Sequence, residues 1–295
     1  MPDTVGHSSE LPDDWPNLKW SSFVEAAGLR WHVQRAGHGS TIVLVHGTAG
    51  ATHTWRHLMP LLTTWADVIA FDLPGHGFTT GSATDQLSLS GMTAAVNQLL
   101  RVLDVRPRIG VGHSAGAAVL LQLVSSHEVT PQSIIGINSA LVSSNALGQM
   151  LLPLSRAVFD ADLPRAAIAA LLENGVLARA LLRSTGTPLD PAQEARYVAM
   201  LTDQARVGAV LQMMSRWDLP ALQSTFPRLR IPVTLVHSRN EPWVDFNQLM
   251  DATRAMPQRT VVDLAPAGHL IPDEKPREVA GIIAAAAAAA AVRNG

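Results

Sequence analysis

The chain contains no cysteine. That excludes disulfides, thiolate nucleophiles and thiolate metal sites, and it permits a reducing compartment without requiring one. Charge is also scarce: charged residues make up 16% of the 295, and the formal net charge is −2. There is no basic run, so the sequence carries no electrostatic footprint for a nucleic-acid partner. The first ten residues are polar and acidic, the wrong chemistry for a secretory signal. Nor is there an apolar run of membrane-spanning length. The stretch from Gly281 to Val292, with alanine throughout 284–291, falls short of the roughly 20 residues a span needs. It reads as a terminal alanine-rich helix packed on a core. These absences favour a cytoplasmic protein with no transmembrane segment, and Trp15, Trp20 and Trp31 are open to two readings, a peripheral bilayer contact or ordinary packing.

Hydrophobic residues account for 47% of the chain, enough for most of it to be packed. Two runs, 22–26 and 29–34, flank Ala27-Gly28 and predict a hairpin. The stretches 41–45 and 68–71 are short, rich in β-branched residues and bounded by glycine, as buried parallel strands tend to be. Further strands are expected at 108–111, 133–137, 233–237 and 260–264. Between Ser88 and Asp104, Met92, Val96, Leu99, Leu100 and Leu103 share one helical face. Alternating strands and helices imply a mostly parallel central sheet flanked by helices, an α/β fold. The alternation is interrupted once, since from about Ser143 to Phe226 only helix-forming stretches occur. The expected organisation is therefore a core made of 1–142 and 227–295, with a helical cap inserted over 143–226.

Gly112-His113-Ser114-Ala115-Gly116 sits between an apolar run and a helix-forming one. A G-x-S-x-G at a strand-to-helix turn is a nucleophile elbow, which lifts the serine hydroxyl above the sheet. The strained turn presses the residues on either side together, so that only glycine fits there. An activated serine needs a base, an orienting acid and an oxyanion hole. His269, in Ala267-Gly268-His269-Leu270, follows the last expected strand and is the candidate base. Glu241, four residues past the strand at 233–237, is the candidate acid, and Asp245 is a second. Oxyanion donors are expected from the backbone N–H of Ala115 and from Thr48, in the small-residue turn Val45-His46-Gly47-Thr48-Ala49-Gly50. Gly75-His76-Gly77 reads as a structural turn. His46, His76 and His113 fall on three different loops without supporting carboxylates, so no metal or cofactor is expected.

Together His46-Gly47-Thr48, Asp72-Leu73-Pro74-Gly75-His76-Gly77, Gly112–Gly116, Glu241 and Gly268-His269 resemble the α/β-hydrolase superfamily across essentially the whole chain. Its fold and Ser-acid-His order imply ester-cleaving chemistry. Leu29-Arg30-Trp31-His32-Val33-Gln34, Val45-His46-Gly47-Thr48, Thr52-His53-Thr54-Trp55-Arg56, Asp72–Thr79, Gly112–Ala117 and Met213–Ala221 carry a narrower likeness. From about Trp15 to Arg277 the chain looks like the BchO family, α/β-hydrolase-like proteins encoded with bacteriochlorophyll genes. The chain departs from that family at Glu241, where the family pattern has aspartate. The likeness implies a role in bacteriochlorophyll synthesis near magnesium insertion, with magnesium chelatase subunits as partners and a tetrapyrrole as ligand.

Two functions compete: a serine hydrolase acting on an apolar ester, and a non-catalytic accessory protein that binds a porphyrin or assists the chelatase. The intact Ser, His and acid favour retained chemistry, because a binding module has no need of a strained elbow. Dehalogenase or epoxide-hydrolase chemistry requires a carboxylate where Ser114 stands, and is excluded. The insertion is expected to act as a mobile lid over an apolar pocket, with Met150, Leu151, Leu152, Met200, Met213, Met214 and Trp217 offering an adaptable surface. For each of these residues singly, ordinary helix packing is the competing reading.

Overall fold

Ala27 and Gly28 both have positive φ, 56° and 73°, the conformation a two-residue hairpin turn requires. The turn joins β1 (Ser21–Ala26) to β2 (Leu29–Gly37), with Ala26 opposite Leu29. The computed structural model describes residues 11–142 and 175–293. Its further strands are β3 (Ser40–Val45), β4 (Ala66–Phe71), β5 (Ile109–His113), β6 (Ser133–Ile137), β7 (Val233–Ser238) and β8 (Arg259–Leu264). They form one eight-stranded sheet in the order β1-β2-β4-β3-β5-β6-β7-β8. β2 is antiparallel to both its neighbours, and every pairing from β4 through to β8 is parallel.

Side-chain alternation along the strands divides the core in two. On β3, Val43 and Val45 join Ile69 and Phe71 in one apolar cluster, while Ile42 and Leu44 join Val68 and Ala70 in another. Helices cover both faces, which is why the central strands read as continuous apolar runs rather than alternating ones. On the first face lie α2 (Leu89–Val102) and α3 (Ala115–Ser125). On the second lie α1 (Leu58–Leu62) and the C-terminal helix of residues Pro276–Arg293, which buries Val279, Ile283 and Ala290. That helix starts five residues before the expected Gly281, with proline at a position that needs no N–H donor. The Ser88 hydroxyl caps α2 by accepting the Gly91 N–H at 3.1 Å. β5 runs past the expected Val111, because Gly112 and His113 continue to pair with β6.

Between β6 and β7 the described residues hold α4 (Val176–Arg183), α5 (Pro191–Thr202), α6 (Gln204–Arg216) and α7 (Leu219–Gln223), and no strand. Met150, Leu151 and Leu152 lie outside the described residues. After β7 come α8 (Phe246–Ala252) and, past β8, α9 (Ile271–Glu274); the C-terminal helix is α10. Trp15 and Trp31 are buried, donating their indole N–H to Thr52 Oγ1 and the Ala26 carbonyl, and Trp20 is half-buried. Among the described residues, no helix is long and apolar enough to cross a membrane.

Candidate active site

Five adjacent parallel strands, β3, β5, β6, β7 and β8, deliver their carboxyl-end loops side by side, which is where open α/β sheets place ligands. These loops carry Thr48, Ser114, Asn138, Glu241 and His269 respectively. Ser114 is buried with φ 50° and ψ −115°, a left-handed conformation outside the region that non-glycine residues ordinarily occupy. The turn is pinned by backbone: Ser114 donates to the Ile137 carbonyl at 2.9 Å, and its own carbonyl accepts from Ala140 at 3.1 Å. Both motif glycines are required by contact. A Cβ on Gly112 would lie 2.4 Å from the Ala117 nitrogen, and one on Gly116 would lie 2.1 Å from the Val45 carbonyl oxygen.

The β3 loop closes against this elbow, since a Cβ on Gly47 would stand 2.8 Å from Ser114 Cβ. Among the described residues, neither the Thr48 nor the Ala115 N–H is taken by a protein acceptor. Ala115 also opens α3, whose N-terminal dipole favours negative charge. His46 fixes the loop: its Nδ1 donates to the Gly47 carbonyl at 2.8 Å and its Nε2 accepts the Leu73 N–H at 2.9 Å. Both ring nitrogens are thus in use. His76 donates from Nδ1 to the Pro74 carbonyl. His113 donates from Nε2 to the His269 carbonyl at 2.9 Å. Burial, reinforced by a neighbouring histidine in each case, holds His76 and His113 down to a pKa of about 3, so both are neutral.

The loop after β7 holds the two carboxylates offered by the sequence in different ways. Oε1 of Glu241 lies 3.2 Å from Nδ1 of His269, with both side chains buried. The Nδ1–H is not aimed straight along that line, so the contact is an ion-pair distance rather than an aligned hydrogen bond. Glu241 is held in turn by its own loop: Oε1 accepts the Trp243 N–H and Oε2 accepts the Val244 N–H at 2.7 Å. Asp245 instead caps α8, accepting the Gln248 N–H at 2.8 Å. The Trp243 ring leans on His269, centroid to centroid 4.8 Å at 32°.

His269 is also fastened from the inserted helical segment. Its N–H donates to the Thr185 carbonyl at 2.7 Å, and the next N–H, of Leu270, donates to Thr187 Oγ1 at 3.0 Å. Gly268 is needed where these chains cross, because a Cβ there would sit 2.3 Å from that hydroxyl. Farther along, Tyr197 on α5 donates to Asp273 Oδ2 at 2.8 Å, Gln193 donates to Asp273 Oδ1 at 2.9 Å, and Arg56 pairs with both Asp273 and Asp190. Sequence reasoning passed over Thr185, Thr187, Tyr197 and Asn138. For Asn138 a signal existed, a polar residue at the carboxyl end of a buried strand; for the others nothing local marks them.

Met213 is buried in the same apolar cluster as Ala115, Leu141 and Val244, and Met214 and Trp217 pack against it half-buried. The Trp217 indole donates to the Leu87 carbonyl at 3.2 Å. Met200 belongs to a separate small cluster with Trp15 and Phe23. Asp72, from the glycine-rich turn after β4, is wholly buried against His32, Nδ1 to Oδ2 2.8 Å. It also receives the Thr52 and Phe78 N–H groups, and so ties the β3 loop to the turn.

Residues 42–282 match the model of the alpha/beta hydrolase family. The chain is 30% identical over 280 residues to the magnesium-chelatase 30 kDa subunit of Rhodobacter capsulatus, an alignment covering 92% of this chain and 96% of that one. Among solved structures, an alpha/beta hydrolase fold protein of Burkholderia ambifaria superposes with a TM-score of 0.74 at 20% identity, covering 88% and 96% of the two chains. The carboxylesterase CesB of Bacillus subtilis superposes with a TM-score of 0.74 at 15% identity, covering 90% of each.

Proposed function

The chain belongs to the alpha/beta hydrolase family, and on that premise we propose that it is a serine hydrolase acting on an ester of an apolar substrate. Ser114 is the nucleophile, His269 the base and Glu241 the acid, with Thr48 and Ala115 as oxyanion donors. One observation carries the reading: the strained Ser114 elbow is tied through His113, which donates to the His269 carbonyl at 2.9 Å, to a buried His269–Glu241 pair at 3.2 Å. In the first half-reaction His269 takes the Ser114 hydroxyl proton as Oγ attacks the carbonyl carbon, and the protonated imidazole then hands that proton to the departing alcohol. Water, deprotonated by the same histidine, cleaves the acyl-enzyme and restores the serine. Each oxyanion donor lowers the barrier by about 3 kcal/mol. The insertion between β6 and β7, helical over its described residues, acts as a cap, excluding water and selecting the substrate.

The likeness to the magnesium-chelatase 30 kDa subunit supports placing this chemistry in bacteriochlorophyll or other tetrapyrrole biosynthesis near magnesium chelation. It equally supports a second reading, a porphyrin-binding accessory protein that assists the chelatase without catalysis. A fluorophosphonate separates the two. Attack by Ser114 Oγ on phosphorus expels fluoride and leaves a stable serine adduct, so folded wild-type protein labels and Ser114→Ala does not. Absence of labelling at neutral pH favours the accessory reading. Porphyrin titration, followed by absorbance and tryptophan quenching with Trp217→Ala and Met213→Ala as controls, tests the ligand separately. No binding up to the solubility limit removes the tetrapyrrole from either reading.

A further inference from the structure

Asn138 follows β6 directly, is wholly buried, and has φ 41°. Its side chain faces two loops at once. Nδ2 donates to the Gly268 carbonyl at 3.2 Å and to the His269 carbonyl at 3.0 Å, while Oδ1 receives the Ser238 N–H at 3.4 Å. The amide orientation is fixed by its partners, since carbonyls only accept and a backbone N–H only donates. Ser238 lies at the root of the acid loop: its carbonyl accepts the Glu241 N–H at 3.0 Å and its hydroxyl accepts the Ala267 N–H at 2.9 Å. The residues on either side of Asn138 reach the nucleophile, because Ile137 accepts the Ser114 N–H and Ala140 donates to the Ser114 carbonyl. Three loops that are far apart in sequence are therefore joined through one four-residue segment.

We propose that Asn138 is a positioning residue that sets the register of the His269 and Glu241 loops against Ser114. The proposal rests on the serine-hydrolase reading. A misplacement of the base by about 1 Å costs up to roughly 100-fold in rate, and removing the amide frees both loops in one step. The competing role is purely conformational: asparagine is among the residues that accept a left-handed backbone, and glycine and aspartate accept it too.

The two roles give different outcomes for two variants. Asn138→Gly suits the backbone but deletes all three hydrogen bonds. Asn138→Asp suits the backbone and the shape but presents an oxygen to two carbonyl oxygens. Fluorophosphonate labelling is followed as a maximal inactivation rate, a half-saturating concentration and a final labelled fraction, with the thermal midpoint measured alongside. Positioning predicts that the maximal rate falls about 10- to 100-fold in Asn138→Gly, and at least as far in Asn138→Asp, with the half-saturating concentration and labelled fraction unchanged. Wild-type rates in both variants overturn the proposal and leave the hydrolase reading intact. A reduced labelled fraction at the wild-type rate, or failure of both variants to fold, assigns Asn138 a structural role and also overturns it. A wild-type protein that does not label overturns both readings together.

Discussion

Ser114 and His269 sit on strand-end loops of the same sheet edge but are held by different means. Ser114 is fixed by backbone alone: a strand end, a helix start, and carbonyl and N–H contacts from the β6 loop, with Gly47, Gly112 and Gly116 allowing the chains to meet. His269 sits on a loop after an edge strand. Its position depends on the Asn138 amide, the Thr187 hydroxyl, the Thr185 carbonyl and the Glu241 carboxylate. One half of the site is built by the fold; the other is assembled from polar contacts, two of which come from the inserted helical segment. Ser114, the proposed nucleophile, is therefore expected to tolerate very little change, and His269, the proposed base, to respond in graded steps.

The largest effect belongs to the backbone half. Gly116→Ala drives a methyl into the Val45 carbonyl oxygen, 2.1 Å away, with no flexible side chain to give way. It is expected to yield no folded protein, or a loss above about 4 kcal/mol, read from a denaturant midpoint. Near-normal stability would mean that the elbow is looser than its contacts indicate.

Next comes Glu241, the proposed acid. Glu241→Gln leaves the shape intact but removes the charge beside His269, and any esterase rate should fall by roughly 10,000-fold. Asp245→Asn keeps a serviceable helix cap and should leave the rate within about threefold. If Asp245→Asn is the damaging change, the assignment of the acid is reversed.

Acid solution tests both halves together. His76 and His113 on the nucleophile side, and His53 against α5, are each pushed by burial from an ordinary 6.5 to about 3. Below pH 6.5 the unfolded chain takes up protons that the folded chain refuses, so stability falls as pH drops from 6.5 towards 3. Above 6.5 these groups contribute no pH dependence. The slope is up to about 1.4 kcal/mol per pH unit for each histidine. Burial alone would raise Asp72, yet the neighbouring His32 and its hydrogen bond, His46 and the Phe78 N–H together bring it to about 2, below its ordinary 3.8. Its contribution is present above 3.8 and is lost between there and 2, steepening the same acid limb. Denaturant midpoints at pH 7.5 and pH 5 measure the histidine contribution, and equal midpoints would contradict it.

The contrast also explains what the sequence reveals. The elbow half is legible because its constraints are local: glycines two residues either side of a serine, an apolar run before and a helix former after. The hairpin was readable at Ala27-Gly28, and the order of Ser114, Glu241 and His269 follows from counting strands. The sequence alone leaves Glu241 and Asp245 open; what favours Glu241 is that Asp245 spends its carboxylate on the Gln248 N–H. The supports of His269 were not legible, because Thr185 and Thr187 are separated from it by some eighty residues and carry no pattern of their own. A threonine hydroxyl aimed at a distant N–H has no periodicity and no motif. Nor did the glycine-rich turn announce that Asp72 would be buried against His32, since that pairing exists only once β2 lies beside β4.

Two substitutions in the helical segment sharpen the comparison most finely. Thr187→Val preserves volume and removes the acceptor for the Leu270 N–H, next to the base. It should slow labelling about tenfold, with a stability cost of about 1–3 kcal/mol for the buried donor left unpaired. Tyr197→Phe removes a hydrogen bond to Asp273, which lies past the base and is also held by Arg56 and Gln193. Tyr197 is buried, and burial raises its phenol to about 12, so it donates as a neutral hydroxyl at every working pH. Losing a hydrogen bond to a charged group should cost about 1.5–3 kcal/mol of stability. The labelling rate should nonetheless stay within about threefold, because Thr185 and Thr187 still hold the loop in place. Similar stability losses with unequal labelling rates would separate anchoring the helical segment from positioning the base. If Tyr197→Phe slows labelling as much as Thr187→Val, the whole segment, rather than residues 185–187, sets the position of His269.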